Sequence, residues 1–182
     1  MPRFFAFLRA INVGGRNVTM ETLRRHFIDL GLSEVESFIA SGNIIFSARS
    51  KATPALQQKI ERGMKQALGY DVLAFIRMEG QVAAIDRHRP FPAAEMQEAH
   101  AVYVGLLAEP PTAAAALDLL ALGSEVDKFH VNGSEVYWLA RHRQDESGVT
   151  MSMLERALRA PATFRNLNTL ARLVAKYELR PR

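Results

Sequence analysis

The sequence predicts an α+β fold in which one pattern, strand-helix-strand-strand-helix-strand, is used twice. Three observations carry this expectation. Apolar residues switch between alternating and helical spacing in that order through residues 3–78, the same order resumes after residue 100, and a proline-interrupted stretch separates the two runs.

Arg3 to Arg9 reads as a strand, because Phe4, Phe5, Phe7 and Leu8 suit a pleated surface and apolar residues point both ways. Thr19 is an N-cap candidate for a helix over Met20 to Leu30, whose Met20, Leu23, Phe27 and Leu30 recur at helical spacing and which Gly31 stops. Val35 to Ala40 and Asn43 to Ala48 form two strands joined at "SGN". A helix follows from Thr53 to Leu68, with Leu56, Ile60, Met64 and Leu68 on one face, and Val72 to Met78 returns as a strand. This order is the split β-α-β unit of ferredoxin-like folds.

Gln81 to Arg87 is a short helix, and "RPFPAAE", Arg89 to Glu95, is the expected linker. The second half then offers a strand at Ala101 to Leu107 and a helix in "PPTAAAALDLLAL". A hairpin of Glu125 to Val131 with Glu135 to Ala140 turns at Asn132-Gly133. Ser152 and Glu155 match a capping box for the next helix. No closing strand is evident, and a helix from about Arg165 to Tyr177 stands in its place. On that helix Leu167, Leu170, Leu173, Val174 and Tyr177 share one face, and Arg165, Thr169, Arg172 and Lys176 share the other. The expected organisation is two ferredoxin-like halves packed together with an extra C-terminal helix: residues 1–79, a connecting 80–99, and 100–182.

Composition bounds the function. The chain has 182 residues, 48% hydrophobic and 23% charged, which suits a globular protein with a sizeable core. Absence of cysteine excludes disulfides and thiol chemistry. The opening "MPRFFAFLRAINVGG" has only a short apolar core interrupted by Arg9, unlike a signal peptide, and no run approaches the roughly 18 apolar residues of a membrane helix. A cytoplasmic location without membrane association is the expectation. The net charge of +4 is compatible with a phosphate-bearing partner.

Three polar motifs stand out. In "LRAINVGGRN", adjacent glycines allow positive φ and close approach to backbone amides, and Arg9 and Arg16 can neutralise an anion. Neither the Walker spacing nor the dinucleotide fingerprint is present, so an ordinary strand-to-helix turn is the competing reading. "ASGNIIF" contains ordinary turn residues, and its hairpin is expected at the end of the sheet opposite the diglycine loop. "TFRNLNT" crowds Thr163, Arg165, Asn166, Asn168 and Thr169 at a helix start, more than one cap requires.

RNA recognition on the sheet is disfavoured: "SGNIIFSAR" supplies only Phe46 against the RNP1 pattern, and the first strand's two apolar faces suggest a sheet covered on both sides. The histidines 26, 88, 100, 130 and 142 show no metal spacing, and Asp127 and His130 have opposite parity in one strand. A nucleophile elbow is absent, so no catalytic residues, metal or cofactor are assigned and an enzyme is not favoured.

The combination of "FLRAINVGGRN", residues 20–46 through "LGLSEVESFIASGNIIF", and "TFRNLNTLARL" resembles the bacterial domain of unknown function 1697 family. That resemblance implies an α/β protein of two ferredoxin-like halves with no established activity or cofactor. The family pattern places tryptophan where Leu167 stands; leucine would weaken a stacking surface there but would serve as a core filler.

The expected function is binding of a phosphate- or carboxylate-bearing ligand, a nucleotide, nucleic acid or metabolite. The candidate residues are Arg9, Asn12, Gly14, Gly15, Arg16, Asn17, Ser41 and Asn43, with Arg165, Asn166 and Asn168. The expectation needs the diglycine bend and the start of the last helix to face one cavity. Two alternatives stand beside it: an interaction or structural module whose polar motifs fasten the halves, and an enzyme acting on a small phosphorylated metabolite.

Overall fold

The computed structural model describes residues 1–12, 14–39, 41–49, 53–144 and 146–180. Contacts divide the chain into two compact units, Met1–Ala83 with Leu179–Arg182, and Ala84–Glu178. The described elements run β1 (Arg3–Arg9), α1 (Met20–Asp29), β2 (Ser33–Phe38), β3 (Asn43–Ser47), α2 (Thr53–Leu68), β4 (Leu73–Met78) and α3 (Glu79–Arg87), inside which the unit border falls. They continue with α4 (Ala93–Glu98), β5 (Ala101–Leu106), α5 (Ala113–Leu120), β6 (Asp127–Asn132), β7 (Glu135–Ala140), α6 (Met151–Leu158), β8 (Thr163–Asn166) and α7 (Leu167–Tyr177).

Each unit contains one four-stranded antiparallel sheet, ordered β2-β3-β1-β4 in the first and β6-β7-β5-β8 in the second. The register of the first pairs Arg3 with Ser47 and Phe7 with Asn43. On one face of that sheet Phe4, Leu8, Ile44 and Phe46 join Leu23 and Phe27 of α1 and Ile60 and Met64 of α2 in a core. Burying each such side chain contributes roughly 1.5–3 kcal/mol. Phe5, Phe7, Ile45 and Phe75 on the other face are equally buried, so that face presents no exposed ring on which a base could stack. In the second unit Val136, Trp138 and Ala140 pack with Leu119, Leu154 and Leu158.

Most sequence-based elements are present, with shifted ends. The strand expected from Val35 runs from Ser33 instead, with a register shift between Ser33 and Glu36, and Ala40 lies outside the described residues. Thr19 caps α1, its side chain accepting from the Thr22 amide.

Three expectations are corrected. The second unit does have a closing strand: β8 pairs antiparallel with β5, matching Val104 to Arg165 and Leu106 to Thr163. Arg165 is therefore a strand residue and does not belong to the cationic face of the last helix, which begins at Leu167. The cap of α6 is Thr150, which accepts from the Met153 amide; Ser152 sits inside the helix, and Glu155 accepts from the Ala162 amide beyond its other end.

Candidate functional site

A further correction concerns the motifs. β1 and β2 both run antiparallel to β3, so they run parallel to each other and their C-terminal ends lie on the same side of the sheet. The diglycine loop and the "SGN" turn are thus neighbours. The Leu8 amide donates to the Gly42 carbonyl at 2.8 Å. Gly42 has φ +71°, and a Cβ there would stand 2.6 Å from Ile11 Cδ1. Tyr70, between α2 and β4, reaches the same end and donates its hydroxyl to the Ile11 carbonyl at 2.9 Å.

The loop after Arg9 is built from local bonds. Ala10 takes φ +64°, which folds Ile11 back into the core. Asn12 Oδ1 accepts from the Val18 amide at 2.8 Å and closes the loop across its base. Gly14 and Gly15, at φ +67° and +80°, form the exposed tip, and a Cβ on either would meet open space. Glycine is required there for backbone conformation rather than for packing. Arg16 lies with its guanidinium 4.0 Å from the centre of the Tyr70 ring, while Arg16 and Asn17 remain exposed. Lys65 and Asp71, flanking Tyr70 in the chain, form an ion pair at 2.9 Å.

The other nominated residues have structural employment. Asn43 is buried, and its Nδ2 donates to Ser41 Oγ at 2.7 Å and to the Phe38 carbonyl at 3.2 Å, closing the hairpin. In the second unit Arg165 Nη1 donates to Thr163 Oγ1 at 2.8 Å and to the Phe164 carbonyl at 2.9 Å. Burial pushes its pKa down to about 10, which leaves it protonated at neutral pH. Asn166 caps α7 by accepting from the Asn168 amide, and Asn168 is exposed. One of the free amides at this helix start is thereby satisfied by the helix's own cap. Leu167 is buried and packs as a core residue. The diglycine loop belongs to the first unit and these residues to the second.

Sequence reasoning missed Tyr70 and a histidine pair. Tyr70 sits in an unremarkable "GYD" after a helix; its signal was its place at the same sheet end as the glycine loop. His88 and His130 are distant in the chain, but their rings lie 5.2 Å apart, and His88 is 4.9 Å from the Tyr137 ring. His88 Nε2 is buried without a hydrogen-bond partner among the described residues. Burial, then His130 and Arg89, hold its pKa below the usual imidazole value, against an opposing pull from Glu135. Burial likewise pushes the Tyr137 phenol up, and its hydroxyl donates to the Ile85 carbonyl. Asp127 faces the opposite way, as its parity requires, accepting from Trp138 Nε1 at 2.7 Å and Ser147 Oγ at 2.9 Å. Among the described residues no group of three or more His, Asp or Glu could hold a metal, and no helix is long and apolar enough to cross a membrane.

Two topologically equivalent antiparallel α+β units, the first carrying between β1 and α1 a glycine-tipped loop whose Arg16 lies over a tyrosine, define the class of protein. The chain belongs to a family described as proteins of unknown function, DUF1697, whose model matches residues 1–137. That match ends within β7, so the "TFRNLNT" segment lies beyond it. The fold is similar to that of the conserved bacterial protein SP0830 from Streptococcus pneumoniae, with a TM-score of 0.70 and 22% identity over 98% of this chain and 99% of that one. No curated protein matches the chain.

Proposed function

We propose that the protein is a binding module that takes up the phosphate or carboxylate of a ligand at the Asn12–Asn17 loop of its first unit. The observation that carries this reading is Arg16. Its guanidinium carbon lies 4.0 Å from the centre of the Tyr70 ring, a cation–π contact that consumes none of its N–H donors and leaves them available to an oxyanion. Arg16 has no ion pair among the described residues, and the exposed Gly14, Gly15 and Asn17 have no hydrogen bond among them either. Arg9, at the end of β1, adds positive charge beside the loop. Asn12, Ser41 and Asn43 shape this end of the sheet and are not assigned to the ligand.

The ferredoxin-like description of each unit belongs to the same proposal, supported by the order β2-β3-β1-β4 and its counterpart β6-β7-β5-β8. A cytoplasmic setting is part of this reading, since nucleotides, nucleic acids and phosphorylated metabolites are present there.

The test is thermal shift of the full chain with inorganic pyrophosphate, AMP, ATP and a short single-stranded RNA, repeated across a salt series. A ligand that binds the native state raises Tm, and affinity for a polyanion falls steeply with salt while that for a small ligand falls gently. Arg16→Ala is expected to remove the shift. An unchanged shift in that variant, or no shift with any probe, overturns the reading. The second outcome favours a structural module, which is the role supported by Asn12, Ser41, Asn43 and Asn166 each bonding within its own turn.

A further inference from the structure

We propose that the first unit carries a second binding site, at the end of its sheet opposite the diglycine loop, for an amphipathic anion: a phosphate or carboxylate attached to a hydrocarbon or aromatic body. A cleft of about 490 Å³ opens there between the end of α1, the end of β3 and the start of α2. This volume falls within the range of small-molecule sites.

The lining divides by chemistry. Leu32, Ala48 and Leu56 form an apolar floor continuous with the core of the unit. Arg49 and Lys59 stand exposed at the rim, and Ser33 adds a hydroxyl that donates to the Ser47 carbonyl. The described lining contains no carboxylate. Glu34, the nearby acid, accepts from the Ser47 hydroxyl and lies outside the lining.

Arg49 and Lys59 differ from several cations of the same unit. Arg3 is paired with Glu79 at 3.1 Å, Lys65 with Asp71 at 2.9 Å, and Arg24 donates to Ser37 Oγ at 2.6 Å. Arg49 and Lys59 have no ion pair among the described residues. Two cations with no ion pair among the described residues, above a concave apolar floor, favour a ligand with charge at one end and apolar surface at the other. Inorganic phosphate would use only the rim, and an uncharged hydrocarbon only the floor.

The full chain is titrated with 1-naphthyl phosphate, with inorganic phosphate and 1-naphthol as controls. Binding is followed by naphthyl fluorescence and by methyl NMR shifts of Leu32, Ala48 and Leu56. The expected result is saturable binding of naphthyl phosphate that shifts those methyl signals, with each control at least about tenfold weaker. Arg49→Glu with Lys59→Glu is expected to weaken it by about tenfold or more, and Arg49→Gln with Lys59→Gln, which keeps two polar rim residues, to weaken it less. Arg16→Ala leaves this binding intact, so failure of the loop site and failure of this one are separable. Absence of methyl shifts at millimolar probe, or equal affinity of the folded charge-reversed variant, overturns the proposal.

Discussion

Replacing Gly42 with alanine tests the arrangement on which the loop site stands. An L-residue held in the left-handed region costs roughly 1–2 kcal/mol, and Gly42 sits at φ +71°. The new Cβ would fall 2.6 Å from Ile11 Cδ1 and 3.4 Å from Leu8 Cβ and the Leu8 carbonyl oxygen. The Leu8 contacts are tolerable. Ile11 Cδ1 is the end of a side chain that can rotate, so the clash adds about 1 kcal/mol, the low end for overpacking. The total loss is therefore about 2–3 kcal/mol. Ile11→Val alone costs roughly 0.5–1.5 kcal/mol and removes the clashing methyl, so the double variant is expected to recover about 1 kcal/mol relative to the sum of the singles. Urea unfolding followed by far-UV circular dichroism is the suitable assay. The chain's one tryptophan, Trp138, lies in the second unit and reports on that unit by fluorescence. A Gly42→Ala protein within about 0.5 kcal/mol of the parent, or strict additivity with Ile11→Val, would mean that the hairpin turn does not rest on the loop.

Further outcomes follow from the second unit and the loop. Gly105→Ala places a Cβ 2.6 Å from the Phe164 ring, where β8 lies against β5, and is expected to cost about 1–3 kcal/mol in the same unfolding assay; a neutral result would deny the closing strand. Trp138→Phe leaves the buried Asp127 carboxylate without its indole donor and should destabilise by about 1–3 kcal/mol, measured by circular dichroism because the fluorophore is lost. The folded state keeps His88 neutral below the usual imidazole value of 6.5, so the unfolded chain takes up the proton first as the solution is acidified. Stability should therefore fall as pH drops from about 7 to about 5, and His88→Asn should flatten that slope; an identical slope in the variant would assign it to other groups.

The order of elements was legible because α1 and α2 carry clean helical spacing, β3 is rich in β-branched and aromatic residues, and β2 alternates polar residues with Val35. β8 escaped because it is four residues long, carries Arg165 and Asn166, and runs straight into a helix whose pattern dominates the window. The Ser152–Glu155 spacing was satisfied in sequence but preempted in space. Thr150 takes the cap two residues earlier, following the buried Val149, and Glu155 is drawn to the Ala162 amide. Placing the two N-terminal motifs at opposite ends was an error of direction, since a strand-helix-strand crossover returns the second strand parallel to the first. Local sequence identified Asn43, Ser41 and Asn166 as special, but whether their polar atoms close turns or await a ligand depends on partners that only the fold supplies. Tyr70 shows the converse: nothing local marks it, and it matters because it meets Arg16.

Asn166 is the last residue of β8 and also the cap of α7, so strand and helix meet with no connecting residue between them. The junction has no slack. One inserted residue would rotate the helix by about 100° relative to the strand, turning Leu167, Leu170 and Leu173 away from the interior they fill. Chain length is therefore constrained at this point by the phase of a helix, and α7 holds its orientation only while the strand before it keeps its register.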